Sequence, residues 1–164
     1  MSDIREFNEK RDDMGYCKIF LIGKDLSNKD LRGADLREVN LMNANLSGSN
    51  MANCVFTKSD LLFSNLDNAD LSGAILDSSN LMRATLINTN LRNARLVNAC
   101  LHHVYIIKSD LTNCDLSLAL LYGANIIRCN LTKTNMLGAD VVGLNMDHCN
   151  MDRIIWNPNE PKRR

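Results

Sequence analysis

An apolar residue falls at every fifth position from Leu21 to Met151 without a slip, 27 times in succession. Nineteen of these are Leu, and the others are Met51, Phe56, Ile106, Ile126, Met136, Val141, Met146 and Met151. Trp156 continues the series. We call this position i. At i-2 the residue is Ala, Ser, Cys or Thr in 21 of the 27 units, as at Ala34, Ser49, Cys54 and Ala94. A period of five cannot be an amphipathic helix, because at 100° per residue each successive Leu would lie about 140° further around the axis. It cannot be a flat strand either, since an odd period sends successive leucines to opposite faces. The backbone must therefore turn inside every unit, always in the same sense, so that the i and i-2 side chains converge on one axis.

The rest of the unit supplies the turn. Position i-1 is Asp or Asn in 19 of 27 units, and seven of the eight glycines (Gly23, Gly33, Gly48, Gly73, Gly123, Gly138 and Gly143) stand at i+2. Asx side chains hydrogen-bond nearby backbone, and Gly adopts φ values closed to most residues. The repeat holds no proline; Pro158 and Pro161 both follow it. This is expected if its backbone N–H groups are needed for pairing between coils. Aromatic residues are only 5% of the chain, so the core must be aliphatic.

Units such as GADLR (33–37), NANLS (43–47), NADLS (68–72), NARLV (93–97) and GANII (123–127) resemble the A(D/N)LXX motif of pentapeptide repeat proteins, over about 80% of the chain. The resemblance implies an all-β fold, a right-handed quadrilateral parallel β-helix with four units, or 20 residues, per coil. The i+1 residues give their own indication of this pitch. Sorted by a 20-residue period, one face holds six apolar residues of seven and another one of seven; a 15-residue period sorts them less cleanly. About seven coils at ~4.8 Å each would make a rod roughly 32 Å long.

The expected organisation is an N-terminal cap over 1–18, short and helical, the β-helix over 19–157, and a polar tail over 158–164. Ser2 and Asp3 could cap a helix carrying Ile4 and Phe7 on one side. Lys24 and Lys29 stand at inward i-2 positions, which predicts an irregular first coil whose lysines snorkel out of its open end. Nineteen Lys+Arg balance nineteen Asp+Glu, so no global field collects nucleic acid. No apolar run approaches a membrane span, and the start MSDIREFNEKRDD lacks the layout of a secretory signal. The expectation is a cytoplasmic protein, bacterial like many of its relatives, that binds neither membrane nor nucleic acid directly.

The repeat absorbs the residues that could carry chemistry. Cys54, Cys114, Cys129 and Cys149 occupy i-2, where a small inward residue is required, and read as reduced fillers. Cys129 and Cys149 lie one coil apart and could be close enough to bridge, though a cytoplasmic location argues against it. Cys17 and Cys100 have no recognisable ligand partner. His102, His103 and His148 do not converge as zinc ligands would. The eight Asp at i-1 belong to the turns, and no phosphate loop, catalytic triad or nucleophile elbow is visible. No catalytic residue, metal or cofactor is therefore assigned, and the chain reads as no enzyme.

The surface columns nominate the interaction site. One runs Ile22, Met42, Leu62, Met82, His102, Tyr122, Val142, with Phe63 and Leu120 beside it, and the next face adds Ile87, Ile107 and Ile127. A continuous outward apolar stripe exceeds the scattered apolar residues of an ordinary surface. A third face carries Asp30, Asn50, Asp70, Asn90, Asp110, Asn130 and Asn150 at i-1, an order that largely keeps like charges from stacking. Met151, Ile155 and Trp156 at the last coil suggest end-to-end pairing into a homodimer. The favoured function is a non-enzymatic protein-interaction rod of unknown partner. The alternative comes from the resemblance, whose family includes members that mimic DNA and bind type II topoisomerase, giving gyrase inhibition or quinolone protection. Those members favour Phe at i and an acidic surface. Here Phe56 is the one Phe at i, and residues 21–157 carry 13 acidic and 12 basic side chains.

Overall fold

The computed structural model describes residues 19–156. The expected cap at 1–18, Cys17 and the tail at 158–164 lie outside the described residues. Within them the chain winds as a parallel β-helix. Every bridge between coils joins residues 20 apart, from Phe20 with Asn40 to Asn135 with Ile155. Three strands, β1 (Thr85–Ile87), β2 (Tyr105–Ile107) and β3 (Asn125–Ile127), form a parallel sheet in that register, with Ile87, Ile107 and Ile127 aligned.

One unit shows where its backbone donors go. Leu91 N–H donates to Asp110 O at 2.8 Å, Asn93 N–H to Thr112 O at 3.0 Å, and Arg95 N–H to Ala74 O at 2.9 Å. Ala94 N–H closes a turn onto Leu91 O at 3.0 Å, and Arg92 N–H donates to Asn90 Oδ1 at 3.2 Å. All five N–H groups are satisfied: three between coils, one in the turn and one by the Asx at i-1. A proline anywhere in the unit would delete one of these bonds. The turn is type II, which demands φ > 0 at its third residue. All 27 residues at i+2 meet that demand, with φ between 53° and 72°. Only seven of them are Gly, and Phe63 (57°) and Leu118 (59°) are bulky residues held in the left-handed region.

The turns aim i and i-2 inward. Leu41, Leu61, Leu81, Leu91, Leu101 and Leu121 are fully buried at i, and Ala74, Ala84, Ala94 and Ala124 at i-2. The alternation of long and small side chains fills the section between coils. At the start of the rod the structure corrects the sequence reading. Backbone pairing at Phe20 and Asp25 and positive φ at Gly23 and Asn28 are already those of a regular coil. Lys24 and Lys29 are exposed, and full burial begins only at Leu31. Backbone hydrogen bonding to the next coil keeps the path regular whatever the side chains do.

A second difference concerns the small inward residues beside β1–β3. There the N–H that would close the turn goes elsewhere: Thr89 N–H donates to Ser109 Oγ at 2.9 Å, Ser109 N–H to Cys129 Sγ at 3.5 Å and Cys129 N–H to Cys149 Sγ at 3.4 Å. Each side chain in turn donates to a carbonyl of the preceding coil: Thr89 to Leu66 O, Ser109 to Leu86 O, Cys129 to Ile106 O, Cys149 to Ile126 O. Cys129 and Cys149 thus complete a hydrogen-bonded column and are more than fillers. Ser109→Ala is expected to lower stability by about 1–3 kcal/mol, because it strands the Thr89 N–H and removes a donor to Leu86 O. Ser79→Ala should cost less, since the Ser79 N–H keeps its own turn bond to Leu76 O at 3.1 Å. Equal melting temperatures for the two variants would contradict this account.

Candidate interaction surface

The column at i+1 that sequence marks as an apolar stripe has two levels. Ile22, Tyr122 and Val142 are exposed, whereas Met42, Leu62 and Met82 are half-buried, as are Ile87, Ile107 and Ile127 on the adjoining face. The stripe is therefore flush with the surface along its middle and protrudes toward its ends. His102 interrupts it, with its ring edge-on to Tyr122 at 6.0 Å.

Sequence reasoning placed Phe63 beside this stripe but missed what gathers around it. Phe63, Arg83, His103 and Tyr105 line an open recess of about 400 Å³. Arg83 and His103 follow Phe63 at one-coil steps, all at the positive-φ position of the turn. The Arg83 guanidinium carbon lies 5.7 Å from the centre of the Phe63 ring, an arrangement that attracts a cation to the ring face. The His103 ring lies edge-on to Tyr122 at 5.4 Å. Gly123 makes that possible, because a Cβ there would come within 2.6 Å of His103 Nδ1. The available signal was Phe63 itself, a bulky residue where the repeat prefers Gly or Asn. A second apolar group, Leu118, Leu120 and Leu137, is exposed on neighbouring columns.

The acidic residues are largely engaged by their own rod. Oδ1 of Asp60, Asp70, Asp110, Asp115 and Asp140 each accepts the N–H two residues on. Asn amides of the following coil bond back to Asp60, Asp70 and Asp115 at 2.9–3.0 Å. Arg32, Arg37, Arg92 and Arg95 pair with Asp30, Asp35, Asp110 and Asp77. Burial tends to raise the Asp110 carboxyl, but hydrogen bonds from Thr112 and the nearby Arg92 hold it below its ordinary value. This surface is not a row of free carboxylates.

The five described cysteines are all free thiols. Burial pushes Cys54 up to about 11 and raises Cys114 further. Hydrogen bonding with Cys129, whose backbone N–H donates to Cys149 Sγ at 3.4 Å, lowers half-buried Cys149. Among the described residues no three His, Cys, Asp or Glu group as metal ligands, and no helix is long and apolar enough to cross a membrane.

The family described as Pentapeptide repeats matches this chain in 8 copies running from residue 21 to residue 153. The chain is a pentapeptide repeat protein. Its fold is accordingly the right-handed β-helix of that family. Comparison with curated proteins returns no match. Among solved structures, this pentapeptide repeat protein is similar to one from the thylakoid lumen of Arabidopsis thaliana, at 28% identity and TM-score 0.57, covering 58% of this chain and 67% of that one. It also resembles a pentapeptide repeat protein of the cyanobacterium Cyanothece 51142, at 30% identity over 60% of this chain and 64% of that one, with TM-score 0.45. The chain thus spans about two thirds of the length of these two. QnrB1, a plasmid-mediated fluoroquinolone resistance protein, aligns at 16% identity and TM-score 0.52 over 84% of this chain and 72% of its own, a likeness of fold alone.

Proposed function

We propose that this pentapeptide repeat protein is a non-enzymatic interaction rod of about seven four-sided coils, which binds a protein partner through Ile22, Met42, Leu62, Met82, Tyr122 and Val142 together with the Ile87, Ile107 and Ile127 row. The observation that carries the reading is the contrast between surfaces. Apolar side chains, interrupted by His102, run along one column from Ile22 to Val142, while many carboxylates are tied into turns, amide bonds and ion pairs. A partner that docks on apolar columns gains affinity from area removed from water, so salt should change that affinity only mildly. We assign the protein to the cytoplasm, because its i-2 cysteines fill slots that elsewhere hold Ala or Ser and need no bridge between them.

A DNA mimic needs free rows of negative charge. The purified protein is therefore expected neither to inhibit gyrase supercoiling nor to protect gyrase from quinolones at low micromolar concentration. Dose-dependent inhibition that Asp70→Asn with Asp110→Asn abolishes, and Met82→Ser leaves intact, would make topoisomerase binding the function instead.

The last coil supports a homodimer by its exposed side chains. Met151 and Ile155 are 40% and 52% exposed and Trp156 is half-buried. Such a coil edge is satisfied by the same edge of a second copy about a two-fold axis. Light scattering of the full chain at micromolar concentration should give a dimer that Trp156→Glu converts to monomer. A monomer in both cases would refute this pairing.

A further inference from the structure

We propose that the face built on β1–β3 docks a short acidic protein segment, one carrying carboxylates together with apolar side chains. This rests on the interaction-rod reading and names the chemistry of the partner. The observation behind it is a local imbalance in a chain whose net charge is zero. Three successive passes, 83–89, 103–109 and 123–129, contain no Asp or Glu but hold Arg83, His103, Lys108 and Arg128. All four side chains are exposed. Among the described residues Arg83, Lys108 and Arg128 make no ion pair, in contrast to Arg32, Arg37, Arg92 and Arg95 on other faces.

The fold sets these cations on two sides of one apolar strip. Arg83 and His103 occupy the positive-φ turn positions just before β1 and β2, and Lys108 and Arg128 the corresponding positions just after β2 and β3. Between them Ile87, Ile107 and Ile127 stand in register, with exposed Tyr105 beside them. At ~4.8 Å per coil and ~3.3 Å per strand residue the patch measures roughly 10 Å each way, room for a few residues of an extended segment or one turn of helix. Acidic residues bound it at both ends of the column. Asp67, one coil before, accepts the Ile87 N–H at 2.9 Å, and Asp147, one coil after, pairs with His148 at 2.7 Å.

The recess at one corner gives a carboxylate a defined seat. Phe63 holds the Arg83 guanidinium over its ring, and His103 and Tyr105 complete the lining. A guanidinium held by its face keeps its in-plane N–H donors for a carboxylate, which they match as a fork. Two other anionic partners fit less well. A membrane surface requires apolar side chains that protrude into the acyl region, whereas the three isoleucines are half-buried. Single-stranded nucleic acid needs a run of aromatic faces for stacking, and the strip itself is aliphatic.

Fluorescence anisotropy on the full chain tests the proposal. The probe is a short labelled peptide of Glu and Leu, compared with the same peptide bearing Gln for Glu, with phosphatidylserine vesicles and with an oligothymidylate. The Glu–Leu peptide should bind, and its Kd should rise at least about tenfold in the Arg83→Glu, Arg128→Glu double variant, about 1.4 kcal/mol. Arg83→Gln should give a smaller rise in the same direction, and Lys133→Gln, at an exposed position on another face, should change little. Circular dichroism melting identifies any variant that fails to fold. Equal binding of the Gln peptide, or binding lost in Met82→Ser but not in the charge variants, would overturn the acidic partner and leave the interaction-rod reading standing. Tighter binding of vesicles or oligothymidylate than of the peptide would overturn it in favour of that class. No binding of either peptide would overturn both the acidic partner and the apolar docking surface.

Discussion

Leu91→Asp should leave the protein unfolded or close to it, whereas Arg92→Gln, one residue along, should fold and melt close to wild type. Leu91 is fully buried in the middle of the rod. Truncating a buried Leu to Ala costs about 2–5 kcal/mol, and an unpaired carboxylate among leucines adds a desolvation cost of several kcal/mol more. The sum approaches or exceeds the roughly 5–15 kcal/mol by which a domain is held together. In a solenoid each coil contacts only its neighbours, so a broken central coil also parts the two halves of the rod. The Arg92 side chain is about half exposed and paired with Asp110 at 3.0 Å. Losing an exposed pair costs about 1 kcal/mol or less. Thermal melts by circular dichroism should separate the two variants widely, and an unchanged midpoint for Leu91→Asp would refute the inward assignment of position i.

Asn113 offers the second large effect. It sits at i+2 with φ 58°, donates its N–H to Thr132 O at 3.0 Å and donates its amide to Asn93 Oδ1 at 3.1 Å. Proline fixes φ near -65° and has no N–H, so Asn113→Pro must reverse the turn and delete a bond between coils. The expected loss is about 3 kcal/mol or more. Gly at the same site keeps the N–H and accepts the positive φ without strain. Asn113→Gly gives up the amide bond but relieves the left-handed backbone, and should fall within about 1 kcal/mol of wild type. If both variants melted alike, the type II turn would not be what shapes the unit.

Much of this architecture is legible along the chain because its causes are local. The odd period excludes helix and flat strand, and Leu and Ala at i and i-2 then fall inside the rod. Asx at i-1 serves the turn, as Asn90 does for Arg92. The candidate surface was less legible. The stripe from Ile22 to Val142 was read as uniformly outward, yet its middle is half-buried. Phe63 and Arg83 gave no sign in sequence that a recess would form, because they are 20 residues apart and meet only across neighbouring coils.

What the sequence by itself determined is the content of one unit: which side chain points inward, where the backbone turns, and why proline is kept out. The first two follow from the five-residue period and the unit's own turn and Asx bonds. The third is read from where proline is missing, since three of a unit's five N–H groups pair with other coils. What only the tertiary structure decided is everything that depends on the residue 20 positions away. Phe63 and Leu118 take a left-handed conformation that their side chains disfavour, because the ladder to the next coil fixes the path of every turn. Lys24 and Lys29 leave the first coil regular for the same reason. Cys129 and Cys149 become hydrogen-bond partners of the coil before, since a thiol at i-2 is a filler until a backbone N–H one coil away is turned toward it. A repeat carries its turn in its own residues, but its neighbours are set only when the coil closes.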